Sequence, residues 1–136
     1  MAEQVNITSP NDGSIVATRT LASEYQIAQA LINSQAAQKK WCETSLQCRA
    51  DYCLKAVAWL MENKEELGRE ISLQMGRPIK YAGAEIDGLR ERALYMIEAA
   101  GQALQDIQLD AKPGFSRFIR PTPLGTVFVI APWNYP

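Results

Sequence analysis

An unbroken apolar run near the carboxyl end, Val127 to Ala131, is the feature that most limits how this chain of 136 residues can fold. Its branched side chains, bounded by Pro123-Leu124-Gly125 and Pro132, predict a short strand buried on both faces. Such a strand normally lies inside a parallel sheet covered by helices, and the rest of the chain offers it no parallel partner. The pattern therefore predicts an α/β fold whose sheet is incomplete within these residues.

Apolar residues at helical spacing predict two helices in the first half of the chain. A capping box across Ser23 to Gln26 begins the first, which is expected from about 23 to 40. The second begins at Thr44-Ser45, and its apolar stripe includes Cys53, which is therefore expected in the core. Both helices are interpreted as parts of one folding unit, because no linker or repeat separates them.

Two further helices follow. A capping pattern at Asn63 to Glu66 begins a short helix that Gly76 and Pro78 are expected to end. The next helix extends from Ile79 to about Leu104, with apolar positions at steps of four and three. The chain is thus predicted to be mostly helical, with four helices.

Turn residues mark the strand regions at the two ends of the chain. Pro10-Asn11-Asp12-Gly13 separates two short apolar stretches within residues 6 to 20, which predicts a small amino-terminal hairpin. Phe115 to Arg120 alternates loosely between apolar and polar residues, which favours a second, carboxyl-terminal strand region.

Composition excludes several classes of function. Fourteen Lys and Arg against fifteen Asp and Glu leave a formal charge of −1, so a nucleic-acid or anionic-lipid partner is not expected. No leader-like or membrane-spanning apolar stretch occurs, which favours the cytoplasm. The chain has no histidine, so Ser-His-Asp and Cys-His hydrolases are excluded for these residues. Cys42, Cys48 and Cys53 match no zinc or redox spacing, and no metal site is predicted.

The closing segment from Arg120 to Pro136 resembles the aldehyde dehydrogenase superfamily, in which P-x-G precedes a buried strand that ends in P-W-N-F/Y-P. Two upstream stretches agree in order: Trp41 with Arg49, and Met75-Gly76-Arg77-Pro78 followed by Glu85. The resemblance covers the chain from the hairpin onward.

The resemblance implies that residues 1–136 are the amino-terminal part of a Rossmann-like NAD(P)-binding domain, with an oligomerisation ribbon at about 115–126. It implies a homo-oligomeric enzyme that oxidises an aldehyde to a carboxylic acid with NAD or NADP. In this family the cysteine nucleophile and the glutamate base lie downstream of Pro136. These residues alone are therefore expected to be inactive.

The resemblance also implies roles for the last residues. Asn134 matches the oxyanion-hole asparagine, and Tyr135 is placed near the aldehyde tunnel. On residue type alone, Asn134 would be interpreted as a turn residue and Tyr135 as a packing residue. The positions that match the cofactor's ribose and nicotinamide side are Ile130, Ala131, Pro132 and Trp133.

Three alternatives stay open at the level of sequence. The first is the succinate-semialdehyde dehydrogenase branch, which Met75 and Pro123-Leu124-Gly125-Thr126 resemble. The second is a phosphate-reducing relative that runs the hydride transfer in the opposite direction, which the Trp133-Asn134 pair disfavours. The third alternative is a non-catalytic helical remnant that self-associates through Val127 to Ala131. The sequence does not identify the aldehyde or choose between the two cofactors.

Overall fold

A computed structural model describes residues 3–134. Within this range the chain forms four helices and two small antiparallel sheets of two strands each, so the prediction of a mostly helical α/β chain is confirmed. The helices are α1 Glu24–Trp41, α2 Leu46–Glu62, α3 Lys64–Met75 and α4 Ile79–Ala103. The strands are β1 Gln4–Thr8, β2 Ile15–Thr20, β3 Ile107–Gln108 and β4 Phe118–Ile119.

The amino-terminal hairpin is confirmed. Strands β1 and β2 pair antiparallel, with a register shift between Ile7 and Thr8. The connecting turn is closed by the Gly13 amide, which donates to the Ser9 carbonyl at 2.9 Å. Ser9 itself is 2% exposed, so the turn is packed against the rest of the molecule rather than projecting from it.

The capping box that begins α1 is confirmed. The Gln26 amide donates to Ser23 Oγ at 3.2 Å, and the Ser23 amide donates to Gln26 Oε1 at 2.9 Å. These bonds satisfy two amides that a helix start otherwise leaves unpaired. No residue of α1 is buried, so its local signals rather than a packed face define this helix.

Helix α2 begins after Ser45, whose hydroxyl accepts the Cys48 amide at 3.1 Å. It packs against α4 and buries Val57. Cys53, expected in the core, is exposed. The prediction is wrong because the apolar stripe of α2 is longer than its close contact with α4, and Cys53 lines an open groove between the two helices.

The closest packing joins α3 to α4. A Cβ on Gly68 would lie 3.2 Å from the Gly83 nitrogen, so glycine at this point permits the two backbones to approach. Beside that contact, Ala82 is 0% exposed and Ile86 is 5% exposed. The small buried core of the described residues lies mainly on this face of α4.

The predicted side-chain cap at Asn63 is wrong, although α3 begins at the next residue. Asn63 has φ −101° and ψ 16° and makes no side-chain cap bond. An N-cap side chain normally accepts from an extended backbone geometry. Here the Asn63 amide group instead donates to the Trp59 carbonyl at 2.7 Å and closes the end of α2.

The predicted buried strand at Val127 to Ala131 is also wrong for the described structure. These residues form no strand, and Phe128 and Ile130 are 85% and 80% exposed. A strand requires a neighbouring backbone to satisfy its amides and carbonyls. Within residues 3–134, no strand lies beside this run.

Candidate active-site segment beside helix α3

The carboxyl end of α3 is a sharp stop at Gly76, as predicted. Gly76 has φ 81° and its amide donates to the Ser72 carbonyl at 2.9 Å. The left-handed geometry favours glycine, because a side chain would clash with the backbone. A Cβ here would also lie 2.8 Å from Pro10 Cγ in the amino-terminal turn. Gly76 therefore permits both the turn and the contact with the hairpin.

Two distant side chains donate hydrogen bonds to carbonyls in the last turn of α3. Asn11 Nδ2 donates to the Ser72 carbonyl at 3.3 Å, and Trp133 Nε1 donates to the Gln74 carbonyl at 3.3 Å. The Gln74 carbonyl is among the last four of the helix, which lack partners within it, whereas the Ser72 carbonyl accepts both from Gly76 and from Asn11. The end of α3 thus contacts both the hairpin and the carboxyl-terminal segment, residues 120–134.

Arg77 and Glu85, which belong to the second stretch of the family resemblance, form an ion pair. Arg77 Nη1 lies 2.6 Å from Glu85 Oε1, and the Glu85 side chain is 16% exposed. Arg77 Nε also donates to the Tyr81 carbonyl at 3.3 Å. The pair therefore links the α3–α4 turn to the second turn of α4. Both residues were recognised as parts of one family motif, but no pattern in the sequence predicted the ion pair between them.

An open apolar groove of about 480 Å³ lies where α2, α3 and α4 meet the carboxyl-terminal segment. Three of the predicted cofactor-binding residues, Ala131, Pro132 and Trp133, form one wall. The polar residues of the opposite side are Glu70, Gln74 and Glu85, and the apolar ones are Leu60, Leu67, Ile71, Met75, Ile86 and Leu89.

The structure brings three of the six predicted site residues to this groove. Ile130 precedes the wall and is largely exposed, and Trp133 is 61% exposed despite its bond to α3. Asn134 follows Trp133 directly, lies in a turn and is exposed. Tyr135 lies outside the described residues.

The three cysteines lie elsewhere. Cys48 lines a second groove, beside Thr126 and Val127, and Cys53 lines a third between α2 and α4. No cysteine lines the groove that contains Trp133, as far as the described residues go. Within residues 3–134, no three His, Cys, Asp or Glu side chains gather in a way that could hold a metal ion.

Trp41 and Arg49, the other pair in the resemblance, occupy separate grooves. The Trp41 ring lies 5.6 Å from the Tyr52 ring, in the groove with Cys48. Arg49 lines the groove between α2 and α4, where its Nε is buried and has no hydrogen-bond partner among residues 3–134. Trp41 thus shares a groove with Thr126 and Val127, and among the described residues neither Trp41 nor Arg49 lines the groove that contains Trp133.

The carboxyl-terminal segment is tied to the helical part at its beginning by an ion pair. Arg120 Nη2 lies 2.6 Å from Asp106 Oδ2, and Arg120 Nε donates to Asp106 Oδ1 at 2.9 Å. The hydrogen bond from Arg120 lowers the pKa of Asp106, and the same bond raises the pKa of Arg120. Together with the antiparallel pairing of β3 and β4, this contact sets where the segment begins.

The chain is similar to known proteins over its whole length. A model described as the aldehyde dehydrogenase family matches residues 1–136. The chain belongs to the aldehyde dehydrogenase family. No helix within residues 3–134 is both long enough and apolar enough to cross a bilayer.

Curated relatives include several dehydrogenases of different substrates. The chain is 28% identical to 3,6-anhydro-alpha-L-galactose dehydrogenase of Streptomyces coelicolor, covering 96% of this chain and 26% of that protein. It is 29% identical to NADP-dependent glyceraldehyde-3-phosphate dehydrogenase of Streptococcus equinus, covering 98% and 29% respectively. The chain thus spans less than a third of the length of these relatives.

Solved structures show the same fold. NADP-dependent glyceraldehyde-3-phosphate dehydrogenase from Bacillus halodurans, complexed with NADP, matches with a TM-score of 0.88 at 26% identity, covering 98% of this chain and 29% of that one. Betaine aldehyde dehydrogenase from Staphylococcus aureus, in complex with NAD+, matches with a TM-score of 0.89 at 21% identity, covering 98% and 27%. The second likeness supports the fold alone.

Proposed function

We propose that these residues are the amino-terminal part of an NAD(P)-dependent aldehyde dehydrogenase, and that the whole enzyme oxidises an aldehyde to a carboxylic acid. The observation that carries the proposal is the position of Asn134. It is exposed, in a turn, and follows a tryptophan that is hydrogen-bonded to the end of α3. An exposed neutral amide at this position can donate a hydrogen bond to a reacting carbonyl.

The role proposed for Asn134 is to stabilise an oxyanion. When a thiolate attacks an aldehyde, a carbon–sulfur bond forms and the carbonyl π electrons move to oxygen, which becomes negative. The side-chain amide of Asn134 can donate an N–H to that oxygen without giving up a proton. Loss of one such donor typically costs about 2.7 to 4 kcal/mol in the barrier.

The residues before Asn134 fit one wall of a cofactor site. Ile130 is 80% exposed, and Ala131 and Pro132 line an open apolar groove, so they offer uncovered surface to a ribose or nicotinamide ring. NAD or NADP, when bound, accepts the hydride from the substrate. The proposed contribution of this chain is contact and orientation. One related structure complexed with NADP and one relative named as NADP-dependent support the choice of cofactor.

Residues 1–136 alone are proposed to be inactive. Among residues 3–134, no cysteine lines the groove that contains Trp133, and Cys48 and Cys53 lie in other grooves. The decisive experiment compares the natural gene product, expressed from its complete reading frame, with the 136-residue polypeptide, in assays of NAD+ and NADP+ reduction with a panel of aldehydes. We expect turnover only by the natural product. Turnover by the short polypeptide, or none by the natural product, contradicts the proposal.

The role of Asn134 is tested in the natural gene product by Asn134→Ala. We expect kcat to fall by about 10²- to 10³-fold, since one oxyanion donor is removed. The matched control is Asn33→Ala, which makes the same chemical change on the exposed surface of α1. Equal kcat values for the two variants contradict an oxyanion role.

A finer proposal concerns the substrate. Met75 lines the same groove as Trp133, and both Met75 and the Pro123–Thr126 stretch resemble the succinate-semialdehyde branch. We therefore expect succinate semialdehyde to give a higher kcat/KM than butanal, which is its uncharged analogue in chain length. A preference for butanal removes support for this branch. The malonate-semialdehyde dehydrogenase of Oceanobacillus iheyensis, at 28% identity, shows that semialdehydes occur among the relatives' substrates.

The second candidate function is self-association. Phe128 and Val129 are 85% and 77% exposed, and an apolar run with unpaired backbone is a template for pairing with another chain. Residues 115–126, proposed as an oligomerisation ribbon, lead directly into it. Sedimentation velocity of the 136-residue chain should show oligomers that increase with concentration and are lost in Val129→Lys but kept in Leu124→Lys. A monomer at every concentration contradicts this candidate.

A further inference from the structure

We propose that the Arg77–Glu85 ion pair and the Gln74 carbonyl act together to position Asn134. In this arrangement Arg77, Glu85 and Gln74 are positioning residues and do not touch the substrate. The inference rests on the oxyanion role proposed for Asn134. It assigns a function to contacts that lie outside the carboxyl-terminal motif.

A hydrogen bond joins Trp133 to α3. Trp133 is 61% exposed, so apolar burial does not by itself fix its ring. Its Nε1 donates to the Gln74 carbonyl at 3.3 Å, and this is the polar contact that joins the segment to α3 at this point. Since Asn134 is the next residue, the orientation of its amide depends on this bond.

The Gln74 carbonyl accepts this bond near the point where the chain leaves α3. This carbonyl lies in the last turn of α3, two residues before the left-handed Gly76. Arg77 follows at once and pairs with Glu85 at 2.6 Å while donating to the Tyr81 carbonyl. The ion pair therefore holds the direction in which the chain leaves α3, and with it the carbonyl that accepts from Trp133.

Glu85 is the less exposed member of the Arg77–Glu85 pair. Its side chain is 16% exposed and lines the same groove as Gln74 and Trp133. A second ion pair on α4, Lys64–Asp87, has the same 2.6 Å separation, but its carboxylate is 52% exposed and it joins the other end of α3. The two pairs thus differ in location and in the exposure of the carboxylate, which makes the second a matched control.

The test observes the Trp133 indole N–H in the 136-residue chain by NMR, with Trp41 and Trp59 as internal references. Glu85→Gln should speed hydrogen exchange of the Trp133 indole by about three- to tenfold, the range expected when a single hydrogen bond weakens. Asp87→Asn should leave that rate unchanged. Equal effects of the two variants on Trp133, including no effect of either, overturn the proposal.

A double-mutant cycle separates positioning from general destabilisation. If Arg77 and Glu85 act through their pair, Arg77→Gln with Glu85→Gln should speed Trp133 exchange no more than either single variant. Additive effects contradict a shared mechanism. Amide exchange in α2 measures global stability in each variant, and an equal increase there and at Trp133 also contradicts the proposal.

The natural gene product distinguishes failure of this inference from failure of the proposed function. We expect Glu85→Gln to lower kcat by about tenfold, less than the loss of the amide itself. If Asn134→Ala lowers kcat while Glu85→Gln does not, the positioning inference fails alone. If Asn134→Ala has no effect, the proposed function fails, whatever the indole exchange shows.

Discussion

The packed helices α2 to α4 and the carboxyl-terminal run Val127–Ile130 are both rich in apolar side chains, yet only the helices bury any. Val57 and Ile86 are 8% and 5% exposed, whereas Val127 is 64% exposed and the other residues of the run more so. A helix satisfies its backbone hydrogen bonds internally, but a strand needs a neighbour. Apolar composition alone therefore does not produce burial, because the backbone must find partners first.

The largest expected effect on stability is the difference between two isoleucine-to-alanine substitutions, one in each region. Ile86→Ala should lower the free energy of unfolding by about 2 to 3 kcal/mol, the lower part of the usual range, because Ile86 borders an open groove. Ile130→Ala should change it by less than about 0.5 kcal/mol, since Ile130 is exposed. Urea unfolding followed by circular dichroism measures both. Similar losses would show that the run is packed in solution.

Two glycine-to-alanine substitutions test whether Gly76 is required for the backbone geometry at the end of α3. Gly76→Ala should destabilise by about 1 to 2 kcal/mol because of its positive φ, with a further cost from the nearby Pro10 ring. Gly88→Ala should stabilise by about 0.5 to 1 kcal/mol, because Gly88 lies within α4 and its added Cβ meets nothing within 4 Å. Thermal unfolding decides the sign. Equal shifts in Tm would contradict the special geometry of Gly76.

The smallest expected effect concerns the start of the carboxyl-terminal segment. Since the folded pKa of Asp106 lies below its ordinary value, its contribution to stability is present above the unfolded pKa and is lost as the pH falls through the folded pKa. Amide shifts of Phe118 and Ile119 should therefore move at a pH below that at which an unperturbed aspartate protonates. Asp106→Asn should abolish this transition and Asp110→Asn should keep it. An unchanged transition in Asp106→Asn would contradict the ion-pair assignment.

The helices could be predicted because their signals are local. Ser23 with Gln26 and the stop at Gly76 act within a few residues, and the structure confirms both. Asn63 shows the limit of such patterns, because a residue between two helices can close the first instead of opening the second. The two-residue strand β3 lacked any local signal, since pairing with β4 alone defines it.

The site was only partly predictable for the same reason. The motif placed Asn134 and Trp133 in order along the chain, but the Trp133–Gln74 bond joins residues 59 positions apart. One signal did exist: an indole N–H near a helix end tends to find an orphan carbonyl. Which carbonyl it meets depends on packing, and no pattern in the sequence encodes that.

Hydrogen exchange at the amides of Phe128, Val129 and Ile130 in the 136-residue chain tests most directly whether this run is the uncovered edge of an incomplete sheet. We expect exchange near the rate of an unstructured peptide for these amides at low protein concentration, together with slowed exchange throughout the centre of α4. Protection of the run equal to that of α4 in the monomer would mean that the chain completes its own packing. That result would contradict the claim that this run requires further strands to form a cofactor-binding sheet.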